Sequence, residues 1–116
     1  MWNVETTDWF DDWYAGLSDT DRANVLAAML VLREQGPGLP RPYADAVKGS
    51  IHSNMKELRV QSKGDPIRAF FAFDPERKAI LLCAGNKTRN KKRFYKTMIP
   101  IADREFTEHL NRLKSR

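Results

Sequence analysis

The sequence predicts an α+β fold, a single domain over residues 1–116 in the order β-α-α-β-β-β-α, with an antiparallel sheet packed against helices. Three observations lead to this prediction. Apolar residues recur at helical spacing in the first third of the chain, alternate with polar residues in its middle, and return to helical spacing near its end. A length of 116 residues is sufficient for one hydrophobic core of ordinary size.

The amino-terminal third predicts a short strand over residues 2–5 and then two helices. The first helix carries its large apolar side chains on one broad face, namely Trp9, Phe10, Trp13, Tyr14 and Leu17. A second helix is expected to begin at Ser18, whose spacing to Asp21 resembles a capping box, and to end near Gly36. Residues 36–42 are rich in Pro and Gly, which predicts a crossover loop.

The middle of the chain predicts three strands. Leu58 and Val60 alternate with charged and polar residues, as in a strand with one buried face. Alternation returns over residues 67–73 after a turn, and residues 79–85 are apolar at nearly every position, which predicts the central strand. Because the connections are short, the three strands are expected to form an antiparallel meander.

The carboxyl-terminal region predicts helical structure in two parts. Asn90 is expected to cap a first segment through residue 98, and Pro100 suits the first position of a longer helix. The buried stripe of this region comprises Ile99, Ala102, Phe106, Leu110 and Leu113.

Two features of the composition bear on location and chemistry. The chain starts without the basic and apolar segments of a signal peptide, and no apolar run approaches the roughly 20 residues that span a bilayer, so we expect a cytoplasmic protein with no membrane partner. The single cysteine, Cys83, lies within an apolar segment and is expected to be a buried structural thiol.

The charge distribution points to a polyanionic partner. Six carboxylates and no Lys or Arg occur in the first 21 residues, whereas residues 87–96 contain six cations and two aromatic residues. Cations neutralise phosphates, and aromatic rings stack on bases, so RNA or DNA is the expected partner. The uneven charge predicts that the molecule docks in a preferred orientation.

Three segments resemble a known family. They are Lys-Glu-Leu-Arg at 56–59, Pro-Ile-Arg-Ala-Phe-Phe at 66–71, and the apolar strand that runs into Gly-Asn-Lys at 85–87. Together with the order of the elements, these segments resemble RelE/ParE-superfamily toxins, and more closely the HigB-like, phage-derived Gp49-like branch. The resemblance covers most of the chain and implies the RelE-like microbial RNase fold.

This resemblance implies the toxin component of a type II toxin–antitoxin system. Such a toxin is a ribosome-dependent endoribonuclease that cleaves messenger RNA and inhibits translation. The substrate's own 2′-hydroxyl attacks the adjacent phosphate, so the enzyme is metal-independent and no cofactor is expected. The implied partners are a cognate antitoxin with a DNA-binding helix-turn-helix, the ribosome, messenger RNA, and operator DNA only through the antitoxin.

The resemblance also implies four catalytic residues. Arg68 is expected to stabilise the charge of the transition state, with Arg59 beside it on the same phosphate. Lys87 is expected to stabilise the leaving oxygen, and Tyr95 to act as a base if the surrounding cations favour phenolate. The alternatives are an ordinary ion pair for Arg68, for example with Glu57, and packing or solvation for the others.

Five further cations are expected to bind ribosomal RNA or the message, namely Arg89, Lys91, Lys92, Arg93 and Lys96. A solvated face is the alternative reading of such a run. The two histidines, His52 and His109, do not form a pair with convincing catalytic spacing.

Two other functions remain open at this stage. A ParE-like toxin that poisons DNA gyrase would share the fold without nuclease chemistry, and a non-catalytic nucleic-acid-binding module would need only the basic patch. Substitution of Arg68, Lys87 and Tyr95 separates these functions from a ribonuclease, because only cleavage depends on all three.

Overall fold

The structure is a computed structural model that describes residues 1–88 and 90–116. Its strands are β1 (Val4–Thr6), β2 (Ala44–Ala46), β3 (Lys56–Ser62), β4 (Asp65–Phe73) and β5 (Ala79–Asn86). Its helices are α1 (Asp8–Ala15), α2 (Asp19–Gln35) and α3 (Lys91–Lys114), with a short 3-10 turn at Gly36–Gly38. The predicted α+β class and the predicted order of the main elements are confirmed.

The five strands form one sheet in the order β1-β5-β4-β3-β2. The predicted meander of β3, β4 and β5 is antiparallel, whereas β1 adds to the free edge of β5 in parallel, with Val4 opposite Ala79. The prediction that residues 79–85 form the central strand was wrong, because β4 occupies the middle of the sheet. The segment is apolar at most positions because helices cover both of its faces.

The first face of the sheet is covered by α1 and α2. Thr7 caps α1 by accepting a hydrogen bond from the Phe10 amide, and Ser18 caps α2 by accepting one from the Asp21 amide. The core on this face contains Phe10, Val25, Leu32, Leu58, Ile67 and Phe71. The two predicted helices thus bury the side of the sheet to which Leu58 and Val60 were assigned.

The second face is covered by α3, whose core side includes Met98, Ala102 and Phe106. The predicted break at Pro100 was wrong, because one helix runs from Lys91 to Lys114 with Pro100 inside it. A proline within a helix costs about 3 kcal/mol. Pro100 is exposed, and residues before and after it are buried along one face, so continuous packing offsets that cost.

Two local features were not predicted. Strand β2 is three residues long, which is too short for alternation to reveal it. Gly36 adopts a φ of 59°, and a Cβ there would lie 2.2 Å from the Trp2 indole, so glycine is required beneath this ring.

Other observations concern location and the cysteine. Cys83 is buried as predicted, and burial raises the pKa of its thiol. Among the described residues, none of the helices combines the length and the hydropathy needed to cross a membrane.

Candidate functional site

A buried carboxylate lies at the centre of the candidate site. Glu57 on β3 is 3% exposed. Its Oε1 accepts a hydrogen bond from the Tyr95 hydroxyl at 2.5 Å, and its Oε2 accepts one from Arg59 Nε at 3.0 Å. Arg68 Nε lies 3.8 Å from the same Oε2. Three of the four predicted catalytic side chains therefore meet at one carboxylate.

Strand register explains this convergence. Arg59 on β3 lies directly opposite Arg68 on β4, and Glu57 is two residues before Arg59, so all three side chains share the face that α3 covers. Like charges directly opposite each other on a sheet repel. Glu57 offsets this repulsion, and Asp45 on β2 adds a second carboxylate at 3.3 Å from Arg59.

Arg68 retains an unused donor. Its side chain is 12% exposed, and its Nη1 donates to the carbonyl of Ile67 at 3.0 Å. Within residues 1–88 and 90–116, its buried Nε has no hydrogen-bond partner. A buried donor without a partner is costly, which makes this atom a favourable point of attachment for an anion.

Lys87 lies beside this group. It follows β5 directly, its amide donates to the carbonyl of Pro66, and its ammonium nitrogen lies 5.7 Å from the centre of the Tyr95 ring. Burial, followed by the positive charge of Arg68, lowers the pKa of Lys87 below its ordinary value. A lowered pKa makes the ammonium a better proton donor than a solvated lysine.

Tyr95 holds its proton more tightly than a free phenol does. Burial, together with its hydrogen bond to Glu57, raises the pKa of Tyr95 to about 12. The condition under which Tyr95 would act as a base, a phenolate favoured by neighbouring cations, is not met in this conformation, because burial and Glu57 outweigh the charge of Arg68. The phenol acts here as a hydrogen-bond donor.

The first turn of α3 is held against the sheet by an aromatic contact. Phe94 stacks on Phe70 with ring centres 6.0 Å apart and meets Tyr95 edge-on at 5.3 Å. Gly85 lies opposite Arg68 on β4, and a Cβ at Gly85 would approach the Phe94 ring to 3.0 Å. The absence of a side chain at Gly85 thus allows the helix to place Tyr95 over Glu57.

The predicted RNA-binding cations surround the beginning of α3. Lys91, Lys92, Arg93 and Lys96 are exposed, and Arg89 lies outside the described residues. Lys91 also borders the hollow of about 340 Å³ that contains Glu57, Arg59 and Tyr95. The first turn of α3 contains no acidic residue. Cations at the amino end of a helix oppose its dipole, so this arrangement favours anion binding at some cost to the helix.

The two histidines lie outside this cluster. His52 Nε2 is 2.9 Å from the Thr107 hydroxyl, and His109 Nε2 is 2.8 Å from the buried carboxylate of Asp74 at the β4–β5 turn. In the part of the chain that the structure describes, no three His, Cys, Asp or Glu residues come together as metal ligands.

The four residues predicted as catalytic lie close together in the structure. Glu57, at their centre, was not predicted as a functional residue. It was named only as a possible ion-pair partner of Arg68. The available signal was the spacing of Glu57 and Arg59, because residues two apart on a strand share a face.

Comparisons with known proteins agree on a family. The model of the family described as phage-derived Gp49-like proteins matches residues 12–107. A protein of Mycobacterium tuberculosis named as a toxin, HigB2, is 48% identical over 99 residues, which cover 84% of this chain and 49% of HigB2. The match thus spans about half the length of that relative. HigB3 of the same organism, also named as a toxin, is 48% identical over 91 residues, which cover 78% of each protein.

A solved structure is similar in fold. It is a double arginine-to-alanine mutant of the E. coli toxin RelE in the free state, with a TM-score of 0.59 and 11% sequence identity. The similarity covers 78% of this chain and 87% of the RelE chain. At this identity the likeness concerns the backbone architecture alone.

Proposed function

This chain belongs to the phage-derived Gp49-like family, the HigB-like branch of the RelE toxin superfamily, and from that premise we propose that it is the toxin of a type II toxin–antitoxin pair. Its proposed activity is ribosome-dependent cleavage of messenger RNA, which inhibits translation. The observation that carries the proposal is the meeting of Arg59, Arg68, Lys87 and Tyr95 around Glu57.

The two arginines supply the charge that phosphoryl transfer requires. When the 2′-hydroxyl attacks the adjacent phosphate, the phosphorane gains negative charge that fixed donors stabilise. Arg68 is largely buried and has an unpaired Nε, so it binds a phosphate oxygen without losing an existing hydrogen bond of that atom. Arg59 provides a second guanidinium on the neighbouring strand.

Glu57 is the proposed proton acceptor. Because the pKa of Tyr95 is about 12, its phenol keeps its proton near neutral pH and is a poor general base. A carboxylate, by contrast, can accept a proton from a hydroxyl within hydrogen-bond reach. Glu57 accepts the 2′-hydroxyl proton, and Tyr95 orients the carboxylate through its 2.5 Å hydrogen bond. The new bond joins the 2′-oxygen to phosphorus, so the first product carries a 2′,3′-cyclic phosphate.

Lys87 is the proposed proton donor to the leaving group. The bond between phosphorus and the 5′-oxygen breaks, and the departing oxygen takes a proton from the ammonium. The lowered pKa of Lys87 assists this step. The reaction needs only side chains of this site, which is the basis for proposing a metal-independent endoribonuclease.

The proposed place of action is the ribosome, in the cytoplasm. Exposed Lys92, Arg93 and Lys96 are proposed to contact phosphates of ribosomal RNA or of the message. The proposed protein partner is a cognate antitoxin that binds operator DNA through its own helix-turn-helix. An acidic segment in that antitoxin would complement the cations of α3.

The decisive experiment maps messenger RNA ends in cells after brief induction of the chain. Wild type is expected to give cuts phased with the reading frame, and Arg68→Ala is expected to abolish them. Arg104→Ala serves as the control, because Arg104 is an exposed cation on α3 whose described partner is Glu105.

Two outcomes would contradict the proposal. Intact messages with growth arrest that persists in Arg68→Ala would indicate a toxin that acts by binding, such as a gyrase poison. Intact messages without arrest, together with salt-sensitive RNA binding that survives Tyr95→Phe, would indicate a non-catalytic binding module.

A further inference from the structure

We propose that a groove beside the candidate site binds a nucleobase next to the scissile phosphate, with Tyr43 as its stacking platform; this inference rests on the proposed function. The groove has a volume of about 450 Å³ and lies between α2 and the edge of β3. Its lining consists of Asn24, Ala28, Pro42, Tyr43, Val60 and Gln61, with Arg59 and Arg68 at the side of the catalytic cluster.

Tyr43 is held at its backbone but exposed at its ring. Its amide donates to the carbonyl of Pro40 at 3.0 Å, and its carbonyl accepts from the Arg59 amide at 2.8 Å. The residue nevertheless remains 56% exposed. An exposed aromatic ring on an anchored backbone can stack on a base without a rearrangement of the chain that carries it.

The groove is continuous with the proposed phosphate site. Arg59 lines the groove and also borders the hollow that contains Glu57 and Tyr95, and it is joined to Tyr43 through the backbone. Arg68 also lines the groove. A phosphate bound by these two arginines would therefore place a neighbouring nucleotide against Tyr43.

The remaining lining suits the two surfaces of a base. Ala28 and Val60 offer apolar contact to its flat face. Gln61 is exposed at the rim and carries both a donor and an acceptor for the base edge. An apolar protein segment is a less fitting occupant, because it would offer no hydrogen-bond acceptor to the two arginines that line the groove.

The test measures binding of a short fluorescent single-stranded RNA by anisotropy at low salt. A 2′-deoxy nucleotide at the cleavage position prevents cleavage. Tyr43→Ala is expected to weaken binding roughly tenfold, the order expected for loss of one base stack, and Tyr43→Phe is expected to preserve it. Ile51→Ala is the control, because Ile51 is 76% exposed on a loop that is anchored instead to Asp103 of α3.

Removal of single bases then identifies the contact. An abasic nucleotide at one position next to the cleavage position is expected to weaken wild-type binding by the same factor and to cause no further loss in Tyr43→Ala. If an abasic nucleotide weakens binding as much in Tyr43→Ala as in wild type at every position, the two changes act independently, and this result would overturn the subsite. So would unchanged binding by Tyr43→Ala, failure of wild type to bind, or a Tyr43→Ala defect confined to antitoxin binding.

The result is separable from the proposed function, because the RNA in this assay is not cleaved. Coupling between Tyr43 and one base, without cuts in cells, would retain the subsite and reject the ribonuclease. Cuts that depend on Arg68, without such coupling, would retain the ribonuclease and reject the subsite.

Discussion

Glu57 changes the character of the candidate site at the scale of single residues. A cluster of cations alone would bind any polyanion, but the negative charge of Glu57, held between two guanidinium groups and a phenol, weakens the attraction of this cluster for a phosphate. Binding therefore requires that a substrate compete with Glu57 for Arg59 and Arg68. Under the proposed function, this competition favours a substrate that is already positioned, as messenger RNA is on a ribosome.

The protonation of Tyr95 gives a prediction that needs no substrate. Ultraviolet absorbance against pH is expected to show a phenolate transition near pH 12 that Tyr95→Phe removes. Glu57→Gln is expected to shift this transition to lower pH, because it removes the negative charge beside the phenol while keeping an acceptor oxygen.

The same shift has a consequence for stability. Since the pKa of Tyr95 is raised from 10.0 to about 12, its contribution to the free energy of unfolding is fully present below pH 10 and is lost as pH rises towards 12. Alkaline unfolding followed by circular dichroism should therefore be less steep over this interval in Tyr95→Phe. An identical profile in both proteins would contradict the assigned environment of Tyr95.

At the scale of elements, the contact between β5 and α3 determines where Tyr95 lies. Gly85→Val is expected to push Phe94 away from the sheet, with a loss of about 1 to 3 kcal/mol in the free energy of unfolding, the usual cost of overpacking. Urea denaturation measures this loss. Cleavage should also fall, because Lys87 and Tyr95 flank the displaced contact.

A matched control is available elsewhere in the chain. A Cβ at Gly38 would have no neighbour within 4 Å, so Gly38→Val should leave stability nearly unchanged. Equal losses at both glycines would show that the packing at Gly85 is not the cause.

The second prediction at this scale concerns the opposite end of the sheet. Asp74 is buried and accepts hydrogen bonds from His109 on α3 and from the backbone amides of Glu76 and Lys78. Asp74→Ala leaves these donors unpaired and is expected to lower the free energy of unfolding by about 3 to 5 kcal/mol in urea denaturation. Glu76→Ala, which alters a half-exposed side chain on the same turn, should have little effect.

The pH dependence of this pair has a defined sign. Burial alone would raise the pKa of Asp74, but the hydrogen bonds from His109 and the Lys78 amide outweigh it and hold the pKa below the ordinary value of 3.8. The contribution of Asp74 to stability is therefore present above pH 3.8 and is lost as pH falls through the lower value in the folded protein. The free energy of unfolding of Asp74→Ala should therefore fall less steeply than that of wild type as the pH is lowered below 3.8.

The elements show which parts of the fold the sequence predicts and which it does not. The periodicity of apolar residues and the capping residues were sufficient to predict α1, α2 and the meander, because each has a clear apolar face or a capping residue such as Ser18. The helix break predicted at Pro100 does not occur, because the free energy that a proline costs within a helix is smaller than the free energy gained by packing a continuous helix on the sheet. Strand β2 and the parallel pairing of β1 depend on distant partners, and no local pattern encodes a distant partner.

The four residues predicted as catalytic lie close together, but the chemical environment of Tyr95 was not predicted. Arg59, Arg68, Lys87 and Tyr95 came from family resemblance, and their positions in the fold are close to one another. The proton affinity of Tyr95 was not predictable, because it depends on burial and on a hydrogen bond to a residue 38 positions away.

At the scale of the whole molecule, α3 connects two regions of opposite charge. Its first turns carry Lys91, Lys92 and Arg93, whereas Glu105 and Glu108, about 20 Å further along the helix, border a hollow with Asp8 and Asp12 of α1. The expected charge asymmetry is thus present along one rigid element. A polyanion is attracted to the first turns of this helix and repelled from the acidic hollow beside α1.

This asymmetry gives a prediction for salt dependence. Lys92→Ala and Arg93→Ala are each expected to reduce the slope of log affinity against log salt concentration by about 0.7, the value for one phosphate contact to a single strand. Anisotropy of an uncleavable RNA over a salt series measures the slope. Lys114→Ala, at the distant end of α3, should leave the slope unchanged, and equal effects at both ends would argue against an oriented complex.

The parallel pairing of β1 with β5 has a consequence for the order of events during synthesis. Val4 lies opposite Ala79, so the amino-terminal strand has no neighbour in the sheet until Ala79 has left the ribosomal exit tunnel. Lys87 and Tyr95 emerge later still. The four residues of the proposed site therefore come together only after Tyr95 has emerged, so the proposed activity would begin late in the synthesis of the chain.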